Sequence, residues 1–224
     1  MSGGARRTVA IASLLFGIGC HGATTSADAP VSGVYEVGSR PRAVAVADLD
    51  GDGRADVIVP NTLRVVRHEG GSWRAASVME LAHQPWMVVG DDVSGDHRND
   101  LIVVQTDHAG VWLAGAPGFS QAPGSPMAVR GATQVATGDL DGDGVAEIAI
   151  GPWVGDEVTV LGGKDLTSRT ARVCERPVGL AIADLDGDGR SELLVACPLE
   201  NRLRVTTWPA TGARPAPQID PNRH

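Results

Sequence analysis

The chain has 224 residues, with 29 glycines, 14 prolines and a formal charge of −8. That length suits one ordinary domain or an array of small repeats, and the negative balance excludes a general nucleic-acid partner, whose phosphates call for Lys and Arg faces. The composition favours many short strands joined by turns, and no apolar segment of helical period and length is found outside the N-terminus.

The first twenty residues read as an export signal. Arg6 and Arg7 form a basic start, and Val9 to Gly19 is an apolar run of 11 residues, short of the roughly 17–25 that span a bilayer. The run ends in "FGIGC", and Gly19-Cys20 resembles the end of a bacterial lipoprotein box, in which the cysteine is lipidated and becomes the mature N-terminus. Gly17 stands where that pattern usually has Leu, so cleavage without a lipid is the alternative. Either route places the protein outside the cytoplasm. Residues 21–30 then form a linker, residues 31–208 a repeat domain, and residues 209–224 a Pro-rich disordered tail. Cys174 and Cys197 are the cysteines of the repeat domain. Export permits them to pair, the sequence leaves the pairing open, and neither has a second ligand at zinc-binding spacing.

Four near-copies of one nine-residue pattern mark the repeats: "DLDGDGRAD" from Asp48, "DVSGDHRND" from Asp92, "DLDGDGVAE" from Asp139 and "DLDGDGRSE" from Asp184. They hold 15 of the 27 acidic residues, and their first aspartates are 44, 47 and 45 residues apart. That is the period of propeller blades built from four strands each. Strand-like runs flank each copy, as in "AVAVAD" before the first and "VIVP" after it. A third run follows in each unit ("LRVVRH", "GVWLAG", "EVTVLGG", "RLRVTTW"), and more polar segments such as "SRTARVC" supply the outermost strand. "FSQAPGSPMAV" is the weakest of these, because its prolines suit only an edge. Small residues before the loops, Ala45 with Ala47 and Ala181 with Ala183, suit innermost strands converging on a narrow axis.

Pro41, Pro85 and Pro177 each precede the first Asp of their loop by seven residues, with Ala132 in the third unit. In that frame Val31 to Gly38 reads as an outermost strand with no blade ahead of it, while the fourth unit lacks one. Placing the N-terminal strand on the last blade predicts an all-β propeller of four four-stranded blades, closed within one chain and free of open edges. The alternative is a partial arc completed by oligomerisation.

Positions 1, 3, 5 and 9 of each loop present side-chain oxygens. They are Asp48, Asp50, Asp52 and Asp56; Asp92, Ser94, Asp96 and Asp100; Asp139, Asp141, Asp143 and Glu147; and Asp184, Asp186, Asp188 and Glu192. Position 7 contributes a backbone carbonyl, from Arg54, Arg98, Val145 and Arg190, so its side chain varies. Glycines at 4 and 6 permit the tight path. Such a set of hard oxygens points to calcium, and four carboxylates in nine residues repel one another without a counter-ion. Position 12 lies in a β run, which excludes an EF-hand; for any one loop a plain Asp-Gly hairpin is the alternative. In the second loop Ser94 replaces Asp, and His97 replaces Gly where a positive φ is needed. That loop is left open between weak calcium binding and a shape held by hydrogen bonds.

These residues carry a resemblance. "VAVADLDGDGRADVIV" and "IADLDGDGRSELLVA" resemble the FG-GAP and VCBS repeats of calcium-binding β-propellers, the class that includes the integrin α-chain head, and the resemblance spans roughly residues 31–208. It implies calcium loops on one rim, where each ion pins the hairpin between the first and second strands. Seven repeats are usual in that class; this chain has four, and it lacks the words "FG" and "GAP" themselves. The opposite rim then carries Trp86 and Trp153 beside amide and acid groups, where they either stack on a sugar or pack between blades. The expected function is a binding or adhesion module for a glycan or an extracellular protein, with a structural subunit of a surface assembly as the alternative. A hydrolase is disfavoured, because there is no G-x-S-x-G elbow, phosphate loop or paired histidines.

Overall fold

The computed structural model describes residues 34–37, 41, 43–60, 64–69, 72–77, 85–115 and 118–208. The expected export signal with Cys20, the linker and the C-terminal tail lie outside these residues. What is described is all-β, four antiparallel sheets in chain order. The first pairs β1 (Ala45–Ala47), β2 (Asp56–Val59), β3 (Arg64–Glu69) and β4 (Ser72–Ser77) in sequence. The second pairs β5 (Met87–Asp91), β6 (Asp100–Gln105), β7 (His108–Gly115) and β8 (Gly118–Gln121), with the short β9 (Met127–Ala128) also on β7. The third is β10 (Ala132–Gly138), β11 (Glu147–Pro152), β12 (Glu157–Leu161) and β13 (Ser168–Arg172). The fourth has three strands, β14 (Gly179–Ala183), β15 (Glu192–Cys197) and β16 (Arg202–Thr207).

Each sequence repeat thus becomes one sheet, with its acidic loop as the hairpin between first and second strands. The split between β8 and β9 follows from Pro123 and Pro126, which have no N–H to donate to the ladder along β7. Strand alternation then sends one strand's side chains to two neighbours at once. On β6, Leu101 and Val103 join Ile58 and Val65 of the first sheet, while Ile102 and Val104 join Ile148 and Ile150 of the third. A further cluster joins Ala149 and Val160 to Leu180, Leu193 and Val195 of the fourth. Each buried Val, Leu or Ile contributes about 1.5–3 kcal/mol, so these faces hold the sheets together.

The innermost strands pack in order, β1 on β5, β5 on β10 and β10 on β14. The contacts are close enough to demand small residues. A Cβ on Gly90 would stand 2.4 Å from the Cβ of Ala47, and one on Gly138 2.4 Å from Cγ2 of Ile182. A Cys174–Cys197 disulfide ties the segment leaving β13 to the end of β15.

Closure differs from the expectation. Val34–Val37 belong to no sheet, and the Glu36 carbonyl accepts a hydrogen bond from Arg64 Nη1 on β3 at 3.2 Å. That bond links the stretch to the first sheet. Val34 is 98% exposed, so no apolar burial drives it onto a sheet edge. No packing comparable to that of the inner pairs joins β14 to β1. Among the described residues the four sheets form an open arc.

Candidate functional site

The acidic loops line one rim of the arc, and their backbone is held by their own carboxylates. In the first loop Asp48 Oδ1 accepts the Gly51 N–H at 2.8 Å and Oδ2 accepts that of Gly53 at 2.9 Å. Asp139 grips Gly142 and Gly144 at 2.6 and 2.8 Å, and Asp184 grips Gly187 and Gly189 at 2.7 and 3.1 Å. The glycines at position 6, Gly53, Gly144 and Gly189, have φ of 84°, 84° and 91°, which explains the residue type. The position 5 carboxylates of Asp52, Asp96, Asp143 and Asp188 accept the position 7 amides of Arg54, Arg98, Val145 and Arg190 at 2.8–2.9 Å. Position 9 reaches back to position 2: Asp56 to Leu49, Glu147 to Leu140 and Glu192 to Leu185, all within 3.0 Å.

This folding brings three carboxylates together in each of three loops. Asp48, Asp50 and Asp52 form one group, Asp139, Asp141 and Glu147 a second, and Asp184, Asp186 and Glu192 a third, each with ligand oxygens within 4.8 Å of one another. These groups could hold a metal ion, and an all-oxygen donor set fits a hard cation such as calcium rather than zinc. The first group uses position 5 where the others use position 9, so Asp56, Asp143 and Asp188 stand outside the triples. Glu147 shows the electrostatic cost of the cluster. Burial, with Asp141 and Asp139 nearby, pushes its carboxyl up to about 7 against the hydrogen bonds from Leu140 and Gly163.

Lys164 escaped the motif reading. It sits in the β12–β13 turn, and its Nζ donates to Asp143 Oδ2 at 2.8 Å, holding that carboxyl below its ordinary range and raising the lysine. Its 21-residue separation from Asp143 leaves no trace in a nine-residue pattern.

The second loop is built differently. Asp100 is fully buried; its Oδ2 accepts the N–H groups of Val93 and Ser94 at 3.2 and 3.0 Å, and its Oδ1 that of Ala114 at 2.8 Å. Burial nonetheless raises its carboxyl. Asp92 accepts from Gly95 and His97 at 2.7 and 2.8 Å. His97 takes φ 67°, the conformation its counterparts reach with glycine. Asp92, Asp96 and Asp100 form no such triple among the described residues, where Ser94 stands at position 3.

Adjacent loops are stitched by one recurring bond. Position 8 of each loop donates to the carbonyl of the first residue of the loop before it. Asn99 Nδ2 reaches Asp48 O at 2.8 Å, Ala146 N reaches Asp92 O at 3.2 Å, and Ser191 N reaches Asp139 O at 2.7 Å.

The opposite rim opens into a groove of about 1280 Å³ between the connections of the second, third and fourth sheets. Trp86 and Trp153 both line it, 41% and 64% exposed, so neither is sandwiched between sheets. Trp86 Nε1 donates to Thr106 Oγ1 at 3.0 Å. Gln134 Nε2 donates to the Pro177 carbonyl at 3.0 Å, while Gln134 Oε1 and Thr133 Oγ1 are buried without a hydrogen-bond partner. Asp107, Arg130 and Asp156 add charge to the same wall. Thr133 and Gln134 were not singled out from sequence, because both sit in an ordinary strand run.

An all-β array of sheets, each with an acidic hairpin on one rim, defines a β-propeller-like repeat protein. Family models agree: one described as an FG-GAP-like repeat matches residues 92–150, and one described as an FG-GAP repeat matches residues 41–71. The chain thus carries FG-GAP repeats over these residues. No curated protein matches its sequence. Among solved structures it is similar to the Tc holotoxin pore of Photorhabdus luminescens, at 20% identity and a TM-score of 0.43 over 69% of this chain. It spans 8% of that toxin chain. It is also similar to BBS1N, crystallised in complex with ARL6DN, at 12% identity and a TM-score of 0.33, over 73% of this chain and 78% of that one.

Proposed function

We propose that this protein is a calcium-stabilised binding module that acts outside the cytoplasm and takes a glycan in the groove opposite its acidic rim. One observation carries the reading: two exposed indoles share a groove with buried, unpartnered oxygens of Thr133 and Gln134. Sugars present apolar C–H faces to stack on indole and hydroxyl groups to bond polar side chains of the same wall, such as Asp107, Arg130 and Asp156.

The carboxylate triples support calcium at the first, third and fourth loops. An ion that binds only the folded state contributes about 2.7 kcal/mol at a hundredfold excess over its dissociation constant. Modules outside cells bind calcium at about 10⁻⁴–10⁻³ M, a range suited to extracytoplasmic levels. The disulfide and the export signal, with Cys20 as the lipid attachment point, support a place on the cell envelope.

A glycan array tests the ligand class, run in millimolar calcium with a chelated control. A calcium-dependent hit is expected, weakened about tenfold or more by Trp153→Ala or Trp86→Ala, a loss of roughly 1.4 kcal/mol. A blank array would rule out the glycan and turn attention to a protein ligand, leaving the calcium assignment to be judged by itself.

A further inference from the structure

The three interfaces between neighbouring sheets obey one rule, and the two outer faces of the arc carry the same rule without a neighbour. The apolar residue at position 2 of each acidic loop packs toward the following sheet. Leu49, Val93 and Leu140 are 7%, 1% and 2% exposed, whereas Leu185 of the fourth loop is 53% exposed. The face toward the preceding sheet shows the converse. Four residues before the loop, Val88, Val135 and Leu180 are buried in the second to fourth sheets, while Val44 of the first is 51% exposed. One strand position further, Val46 is 45% exposed where Ile182 of the fourth sheet is buried.

The close contacts repeat as well. Ala47 meets Gly90, and Gly138 meets Ile182: the residue just before one loop against the residue two before the next. The same positions at the open ends are held by Ala183 and Val46. Leu203 on β16, opposite Ala196 in register, extends the fourth sheet's open face at 59% exposed. The rim stitch is open at these two places too. Position 8 of the first loop is Ala55, and the Asp184 carbonyl begins the fourth; among the described residues no bond of the Ser191-to-Asp139 kind joins them.

Among the described residues no sheet precedes the first or follows the fourth and these two do not pack on each other, so each open face has the shape the other requires. We infer that two copies of this chain pack head to tail, the first sheet of each on the fourth sheet of the other. Such a contact closes a ring when its rotation closes, and eight sheets lie within the four to eight blades of propellers. This goes beyond the groove's ligand and does not depend on it.

Light scattering on the full chain tests the pairing. The unmodified protein is expected at twice its single-chain mass. Val46→Glu blocks the first-sheet face, and Leu203→Glu blocks the fourth-sheet face outside the acidic loop; each variant is expected at the single-chain mass. Mixing the two variants leaves one intact pair of faces and is expected to restore the two-chain species. Far-UV circular dichroism matching the unmodified protein shows that each variant still folds. A single-chain mass for the unmodified protein at every concentration, either variant remaining at twice the mass, or masses climbing beyond two copies would overturn the ring.

Discussion

Gly90 and Gly51 are both glycines for unlike reasons. A Cβ on Gly51 meets nothing within 4 Å, and what it needs is its φ of 77°. Gly90 needs space, because β1 and β5 approach until a Cβ would fall inside Ala47. Gly90→Ala should therefore cost about 1–3 kcal/mol, read from urea denaturation, since a close-packed contact must spread to admit a methyl group. A second prediction concerns Glu147, whose carboxyl rises from 4.5 to about 7 in the folded chain without metal. The folded state then holds a proton that the unfolded chain releases, so metal-free stability falls as pH climbs from 4.5 through 7. Buried Asp100, also raised, acts in the same direction. With chelator the melting temperature should fall from pH 5 to pH 8, and calcium, which favours the charged carboxylate, should flatten that decline. A chelated protein that melts higher at pH 8 would contradict the assignment.

The hairpins were legible because each is specified within nine residues. The Asp-Gly pattern sets the loop, alternating apolar residues set the flanking strands, and Pro123 and Pro126 marked the weak outer strand that the fold breaks into β8 and β9. The second loop was legible as a departure, and the structure adds the N–H groups of Ser94 and Ala114 that gather on buried Asp100. Lys164 and the disulfide were not legible in this way. Both join parts of separate elements, and only the fold brings the Cα atoms of Cys174 and Cys197 to 5.9 Å. Closing a loop of this length restricts the unfolded chain by about 3 kcal/mol. Cys197→Ser, or reduction of the native protein, is expected to lower the denaturation free energy by about that much. Equal stability with and without reductant would show that the bond contributes nothing.

The array as a whole obeys stacking rules that run through all four sheets. Its three apolar clusters each draw on two adjacent sheets, so a sheet is stable only beside a neighbour. That makes the exposed Leu185 and Val46 costly in one chain, and the head-to-tail pairing is the arrangement that covers both. The N-terminal strand expected to close the ring is not seen among the described residues: residues 34–37 join no sheet, and Glu36 is hydrogen-bonded to Arg64 of the first.

Local pattern was enough for the number of sheets, the placing of each acidic hairpin between first and second strands and the oxygen character of the carboxylate groups. All of these depend on residues within about ten positions of each other, where strand alternation and turn chemistry act directly. Which three carboxylates converge, that Trp86 and Trp153 share one groove, that the cysteines pair and that the arc stays open were decided by packing. Those features join segments tens of residues apart, and their geometry follows from how closely the sheets stack, a quantity that no short stretch of sequence carries.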